Sequence, residues 1–248
     1  MIRETSLIMG MPIVVQIIDG GTPADCAAVF CYFDEIDERF SPFKETSEVT
    51  ALNRGRIKVD EASLALQTIL ALAEETRRLS GGYFDIQRGD GIDPSGIVKG
   101  WAIQQAAGLL EERGFRHFFI EAGGDIQVRG LNHDGQPWRV GIRHPFLPRE
   151  IMALVHLSDQ GIATSGSYER GDHIYNPLDL NQPLTEVVSL TVIGPSIYEA
   201  DRLATAAFAM GARGIDFLEQ FPGVEGLMVD RYQMGTETSG FHRYRREL

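Results

Sequence analysis

Cysteine is nearly missing from this chain of 248 residues: there are two, Cys26 and Cys31. Five apart on an expected helix, they suit neither a disulfide framework nor a paired-cysteine metal site, so core filling is their expected role. Positive charge is also short. Lysine and arginine number 23 against 35 aspartates and glutamates, a formal net charge of −12, which argues against a surface built for nucleic acid or anionic lipid. An acidic protein that takes a phosphate compound must neutralise it locally, with a metal ion, a helix N-terminus or a placed lysine. Long hydrophobic runs are missing too, and no segment approaches the length of a membrane span. The opening "MIRETSLIMGMPIVVQIIDGG" lacks the basic start, unbroken apolar stretch and cleavage site of an export signal, so a cytoplasmic location is expected. Without repeats, low-complexity tracts or a clear linker, residues 1–248 are expected to form one unit, with room for two subdomains.

What is present reads as an ordinary globular sequence, 43% hydrophobic and 23% charged, with enough chain for a sizeable core. Residues 7–18 read as a strand rich in β-branched residues. Thr22 caps a helix with Pro23 at its first position, and Val29, Phe33, Ile36 and Phe40 recur on one face. "SPFKETSEVTALNRG" reads as a loop with a short helical piece, and a helix is expected over 61–79, closed by "SGG" at 80–82. "GIVKGWAIQQAAGLLEERG" is a further helix, ended by Gly114. Strands are expected at 116–121, 125–129, 138–143, 151–157 and 187–193, joined by short connections that favour antiparallel pairing. A helix over 197–211, a helical piece at 213–220 and a strand at 225–230 follow, and the basic tail "HRYRREL" reads as a solvated end. Strand runs beside separate helices indicate an α+β fold, with largely antiparallel sheets packed with helices.

Four stretches could carry chemistry. In "PSIYEADRLATAAFAMG" Asp201 and Thr205 share a helix face one turn apart and could offer two oxygens to a hard cation such as Mg²⁺; a solvent-facing carboxylate and a back-bonded threonine would give the same spacing. In "FFIEAGGDIQVRG" the two glycines before Asp125 make a tight turn, which also permits close backbone approach to a ligand. In "GIATSGSYERGDHIYNPLD" Thr164, Ser165 and Gly166 can present hydroxyls and amides to an anion, or simply form a polar turn, and His173 is a candidate base or phosphate contact. "GIDPSGIVKGWAI" places Lys99 in the first turn of a largely apolar helix, either snorkelling to water or facing an anion at the helix N-terminus. Lys99 precedes Gly100, so this is no Walker A loop, and the dinucleotide spacing of glycines is absent.

Taken in order, "MGMPIVVQI", "FSPFKETSEVTALN", "GGYFD", "DPSGIVKGWAI", "EAGGDIQVRG", "IATSGSYERGDHIYNP" and "EADRLATAAFAMG" resemble the ApbE family of FAD:protein FMN transferases over residues 9–211. Each piece alone is weak; the order is highly specific. The resemblance implies binding of FAD with Mg²⁺ and transfer of FMN, through a phosphoester, to a Ser or Thr of an acceptor protein, with AMP leaving. It implies Asp201 and Thr205 as metal ligands with the backbone oxygen of Gly96. It also implies flavin-nucleotide contacts from Met9, Phe43, Tyr83, Phe84, Asp85, Asp93, Lys99 and Ile174, with His173 beside the diphosphate. The N-terminus of the helix that carries Asp201 would face the diphosphate. The chain departs from the family's pattern in a short 85–93 segment, in Asn176, Leu178 and Asp179, where Asp, Arg and Thr are usual, and in Ser95, Met11 and Phe43. A flavin-binding module without turnover, or a hydrolase giving FMN and AMP, are the alternative readings. No acceptor-like motif occurs in the chain itself.

Overall fold

The structure, a computed structural model, describes residues 1–147, 149–166, 175–179 and 184–246. The chain opens with two strands rather than the single one expected: β1 (Ile2–Ile8) and β2 (Met11–Ile17) pair with Ile8 opposite Met11. The two residues between them, Met9 and Gly10, both take positive φ, 56° and 71°, the geometry of a tight hairpin turn whose twist matches its strands. Helix α1 (Pro23–Phe40) follows, opened by Thr22, whose backbone N–H donates to Asp25 Oδ2 at 2.9 Å, a capping box with Pro at the first position. Val29, Phe33, Ile36 and Phe40 are all buried, as their spacing predicts. Cys26 is buried beside them, but Cys31 is exposed; five residues turn a helix well past one revolution, so only one of the pair fills core.

Helices α2 (Glu48–Asn53) and α3 (Leu64–Leu79) are tied together where Glu48 accepts from Ser63, the residue capping α3. The short strands β3 (Gln87–Arg88) and β4 (Gly91–Ile92) make a small hairpin, held down by Asn53, which bonds both the N–H and the C=O of Ile92. Helix α4 (Ser95–Glu112) is apolar almost all round and lies in the interior, with Ile97, Val98, Ala102, Ile103, Ala106, Ala107 and Leu110 buried.

Strands β5 (Phe118–Ala122), β6 (Asp125–Arg129), β7 (Trp138–Arg143) and β8 (Ile151–Leu157) follow, close to their expected places. The stretch with Thr164, Ser165 and Gly166, left open from sequence between an anion-facing segment and a polar turn, is a largely buried strand, β9 (Gly161–Gly166), which pairs with β10 (Val187–Gly194) along its whole length. Helices α5 (Ile197–Ala209) and α6 (Gly214–Leu218) lead to β11 (Glu225–Asp230), β12 (Gly235–Glu237) and β13 (Arg245–Arg246). The basic tail is thus not simply a solvated end: Arg245 and Arg246 pair with Val155 and Leu154, and Arg243 bonds Glu225 at 2.5 Å.

Eight strands form one sheet in the order β1-β2-β5-β6-β9-β10-β11-β12, and β13-β8-β7 form a second. Their pairings are antiparallel, and the fold is α+β, as expected. One face of the large sheet packs against the helices through Val15, Ile120, Ala163 and Leu190. Its other face packs against the small sheet, where Ile126, Val128 and Ile162 meet Trp138, Val140 and Val155. No helix among the described residues is long and apolar enough to cross a membrane.

Candidate functional site

Three elements from distant parts of the chain converge on the helical side of the large sheet. The Gly123–Gly124 turn between β5 and β6, with φ of 57° and 92°, is a two-residue loop that sets Asp125 at the first position of β6, opposite Ala122. Helix α4 brings Lys99 to that carboxylate: Lys99 Nζ lies 2.5 Å from Asp125 Oδ2 and 3.6 Å from Asp201 Oδ1. Helix α5 supplies Asp201, whose other oxygen, Oδ2, accepts the backbone N–H of Gly100 at 2.8 Å. Glycine at 100 is required by this packing. A Cβ there would come within 2.6 Å of the Asp201 Cβ and 3.0 Å of the Ile197 carbonyl.

The result is a buried carboxylate–ammonium–carboxylate array. Asp201 is 4% exposed and Asp125 1% exposed, so neither charge is screened by water as a surface pair would be. Burial pushes the Asp201 carboxyl up to about 7, against the pull of Lys99 and with the push of neighbouring Asp125. One ammonium shared between two buried carboxylates leaves the array short of positive charge. That is the environment in which a divalent cation gains most.

The array opens into a cavity of about 290 Å³ lined by Phe43, Tyr83, Phe84, Asp85, Asp93, Gly96, Lys99, Asp201 and Thr205 among others. Nine of the residues implied by the resemblance therefore line one cavity, and Thr164, Ser165 and Gly166 of β9 line it with them. Phe84 is buried, its N–H bonded to Ser80 Oγ at 2.9 Å, whereas Phe43 stands at the mouth, 90% exposed. Asp93 accepts from both the N–H and the hydroxyl of Ser95, at 3.1 and 2.5 Å, which anchors the first turn of α4 beside the cavity. The helix N-terminus at this wall is accordingly that of α4. The N-terminus of α5 is committed elsewhere: the Ile197 N–H donates to Gln127 Oε1 at 2.8 Å and Ser196 caps Glu199, which corrects the expectation from sequence. Met9 lies in the β1–β2 turn and does not line this cavity. His173 and Ile174 fall outside the described residues.

Gly96, Thr205 and Asp201 fit a hard cation by their chemistry. Gly96 sits against Thr205, where an added Cβ would meet the threonine methyl at 3.6 Å, and Thr205 and Asp201 lie one turn apart on α5. Among the described residues no cluster of three or more His, Cys, Asp or Glu side chains could hold a metal by itself. A cation here would rest on one carboxylate, a hydroxyl and a carbonyl, and would complete its shell with water and phosphate oxygens, the pattern Mg²⁺ favours.

Sequence reasoning passed over several residues of the site. Asp125, which stands behind Lys99 and does not itself line the cavity, read as part of a turn. Arg88 and Tyr175 were assigned no role, yet the Arg88 guanidinium lies 5.6 Å from the Tyr175 ring centroid and 3.3 Å from Asp93, while the Tyr175 hydroxyl donates to the Gln87 carbonyl at 2.9 Å. The short 85–93 segment is thereby folded down as one wall of the cavity. Asn176 is turned into its own loop, where its side chain accepts from Leu178 N–H at 3.0 Å.

Fold and site together define an antiparallel α+β protein in which a half-buried lysine, held by two buried aspartates, faces an oxygen-rich, aromatic cavity. The chain belongs to the ApbE family, whose model matches residues 9–91 and 87–228. It is 37% identical over 129 residues to an FAD:protein FMN transferase of Vibrio cholerae, an alignment covering 48% of this chain and 39% of that protein. It is 35% identical over 161 residues to one of Klebsiella pneumoniae, covering 60% and 44%; the match thus spans about two fifths of these relatives' length. Among solved structures, the ApbE protein of Thermotoga maritima superposes with a TM-score of 0.87 at 23% identity, covering 99% of both chains. The flavin transferase ApbE of Vibrio cholerae gives 0.85 at 23%, covering 98% of both. These two are likenesses of fold.

Proposed function

We propose that this chain transfers FMN from FAD to a serine or threonine hydroxyl of an acceptor protein, in a Mg²⁺-dependent reaction that releases AMP. The observation that carries this reading is the Asp125–Lys99–Asp201 array opening beside Gly96 and Thr205 into an aromatic cavity. The names of the curated relatives support it.

In the reaction, the acceptor oxygen attacks the phosphorus on the FMN side of the diphosphate. A new P–O bond forms there, and the bond from that phosphorus to the bridging oxygen breaks, its electron pair leaving with AMP. The hydroxyl proton passes to His173, the proposed proton acceptor, and then to solvent or the AMP phosphate. Lys99, fixed between two carboxylates, presents an immobile ammonium at the cavity wall, so little reorganisation is needed as charge develops. Phe84 and Tyr83 give an apolar flank for the flavin ring, and Asp93 holds the α4 N-terminus in place. Mg²⁺, held by Asp201, Thr205 and the Gly96 carbonyl, would supply Lewis-acid stabilisation of the phosphate charge.

Chromatography of FAD incubated with the protein tests this. The expected result is AMP only when Mg²⁺ is present, with FMN appearing on an added hydroxyl-bearing acceptor peptide and not free. Free FMN in equal amount to AMP would assign a hydrolase instead, and intact bound FAD a binding module.

A further inference from the structure

A smaller cavity, of about 220 Å³, adjoins the one that Lys99 and Asp201 line, and Tyr83 is the lining residue the two share. Its other walls come from Asn176, from residues 184–187, and from the end of α5 and the turn after it, Phe208 to Arg213. The Tyr83 backbone is fixed. Gly81 and Gly82, at φ of 61° and 91°, turn the chain out of α3, and the Tyr83 N–H donates to the Ser80 carbonyl at 3.3 Å. Packing alone does not fix its ring, because a side chain bordered by two cavities lacks the close neighbours that lock a rotamer in a core.

What holds the ring is Arg213. Its Nη2 donates to the Tyr83 hydroxyl, and the guanidinium carbon lies 5.3 Å from the ring centroid. Glu186 lines the same smaller cavity, but among the described residues no carboxylate pairs with Arg213, so nothing draws the guanidinium away from this contact. The place of Arg213 is set by close packing. It ends the short turn Gly211–Arg213, and at the next residue, Gly214, an added Cβ would come within 2.3 Å of the Ala207 carbonyl oxygen. Helix α5 thus serves the first cavity twice, through Asp201 and Thr205 along its length and through Arg213 just beyond its C-terminus. Arg213 does not itself line that cavity, so any effect on a ligand there passes through Tyr83.

We infer that Arg213 is a positioning residue: it holds the Tyr83 ring at the boundary of the two cavities, so that the flavin meets a wall already in place. The inference rests on the transfer reading above, in which Tyr83 flanks the flavin, and deepens it. An aromatic side chain that is free to turn has to be ordered when a ligand stacks on it, which weakens binding by roughly 3- to 10-fold. The bond to Arg213 removes that penalty beforehand. Without it the ring can turn into the smaller cavity, and the flavin loses one flank.

The test uses the full chain with Mg²⁺ and three ligands: FAD, FMN, and ADP, which carries a diphosphate and adenine without the flavin. Affinity, the emission of bound flavin and the thermal unfolding midpoint are measured. Arg213→Met keeps a long unbranched side chain and loses the hydrogen bond. The expected result is FAD and FMN affinity lower by roughly 3- to 10-fold, brighter bound flavin as the quenching tyrosine moves away, and unchanged ADP affinity and midpoint. Arg213→Lys, which keeps a donor, should recover part of the loss. Tyr83→Phe should show the same loss, and adding Arg213→Met to it should weaken FAD no further. Equal loss of ADP, an undiminished effect of Arg213→Met in the Tyr83→Phe background, or unchanged flavin affinity and emission would overturn the assignment. A lowered midpoint with all three ligands weakened would mark Arg213 as a residue of the fold and overturn it too. Bound flavin that responds to Arg213 while FAD stays intact and the acceptor unmodified would uphold the inference and sink the transfer reading. Transfer by the natural chain, with flavin affinity unchanged in Arg213→Met, would do the reverse.

Discussion

At Asp201 the protein holds a carboxylate where burial opposes its charge, and this has a measurable sign. The carboxyl is pushed up to about 7 in the folded chain from an ordinary value near 3.8, so the folded state binds a proton that the unfolded chain has released. That favours folding at low pH and is lost as pH rises through about 7. Asp201→Asn mimics the protonated form, so in metal-free buffer its stability relative to the natural chain should climb between about pH 4 and 7 and then level off. Thermal unfolding of both chains across that range checks it; a difference that stays flat would remove the buried charge from the account. The cysteines give a second contrast. Cys26 is buried and its thiol pushed up to about 11, chiefly by burial, while Cys31 is exposed. Iodoacetamide at neutral pH should modify Cys31 and spare Cys26 until the chain unfolds, as mass mapping of the α1 peptide would show.

Elements bring the site together by close approach, and glycine sets how close. Gly100→Ala would gain helix propensity of up to about 1 kcal/mol, but its Cβ meets Asp201 and a backbone carbonyl of α5. Overpacking of that kind costs about 1–3 kcal/mol and moves the array itself, so a net loss of stability and of Mg²⁺-dependent turnover is expected. Gly108, on the same helix, has nothing within 4 Å of an added Cβ. There the same change should stabilise by about 0.5–1 kcal/mol with activity intact; equal effects at both positions in chemical denaturation would argue against the close packing of α4 on α5. The helices were legible because Val29, Phe33, Ile36 and Phe40 repeat at helical spacing in α1, and because α4 is a long apolar run closed by Gly114. Strand β9 was not, since "GIATSG" carries no alternation and is buried by its neighbours on both sides. The first hairpin was read as one strand because its turn uses Met9 at positive φ, a conformation methionine seldom takes.

For the whole molecule, one large sheet carries a cavity on each face: one under α4 and α5, where the proposed nucleotide would sit, and one beside β7. The resemblance of ordered motifs located the first, because Asp93, Lys99, Asp201 and Thr205 stand in short recognisable pieces. It did not single out Asp125, whose letters describe a turn equally well, or Arg88 and Tyr175, which come together only when the fold joins distant segments. A net charge of −12 would be compatible with the proposed anionic substrate through Lys99, the N-terminus of α4 and the proposed cation site. The most direct measurement is the intact mass of a threonine-bearing acceptor peptide after incubation with the protein, FAD and Mg²⁺, run beside Asp201→Asn. The account predicts a peptide gaining one FMN less water, AMP in equal amount, and a rate at least about 100-fold lower in the variant. A peptide of unchanged mass while AMP and free FMN accumulate, or full transfer by Asp201→Asn, would contradict it.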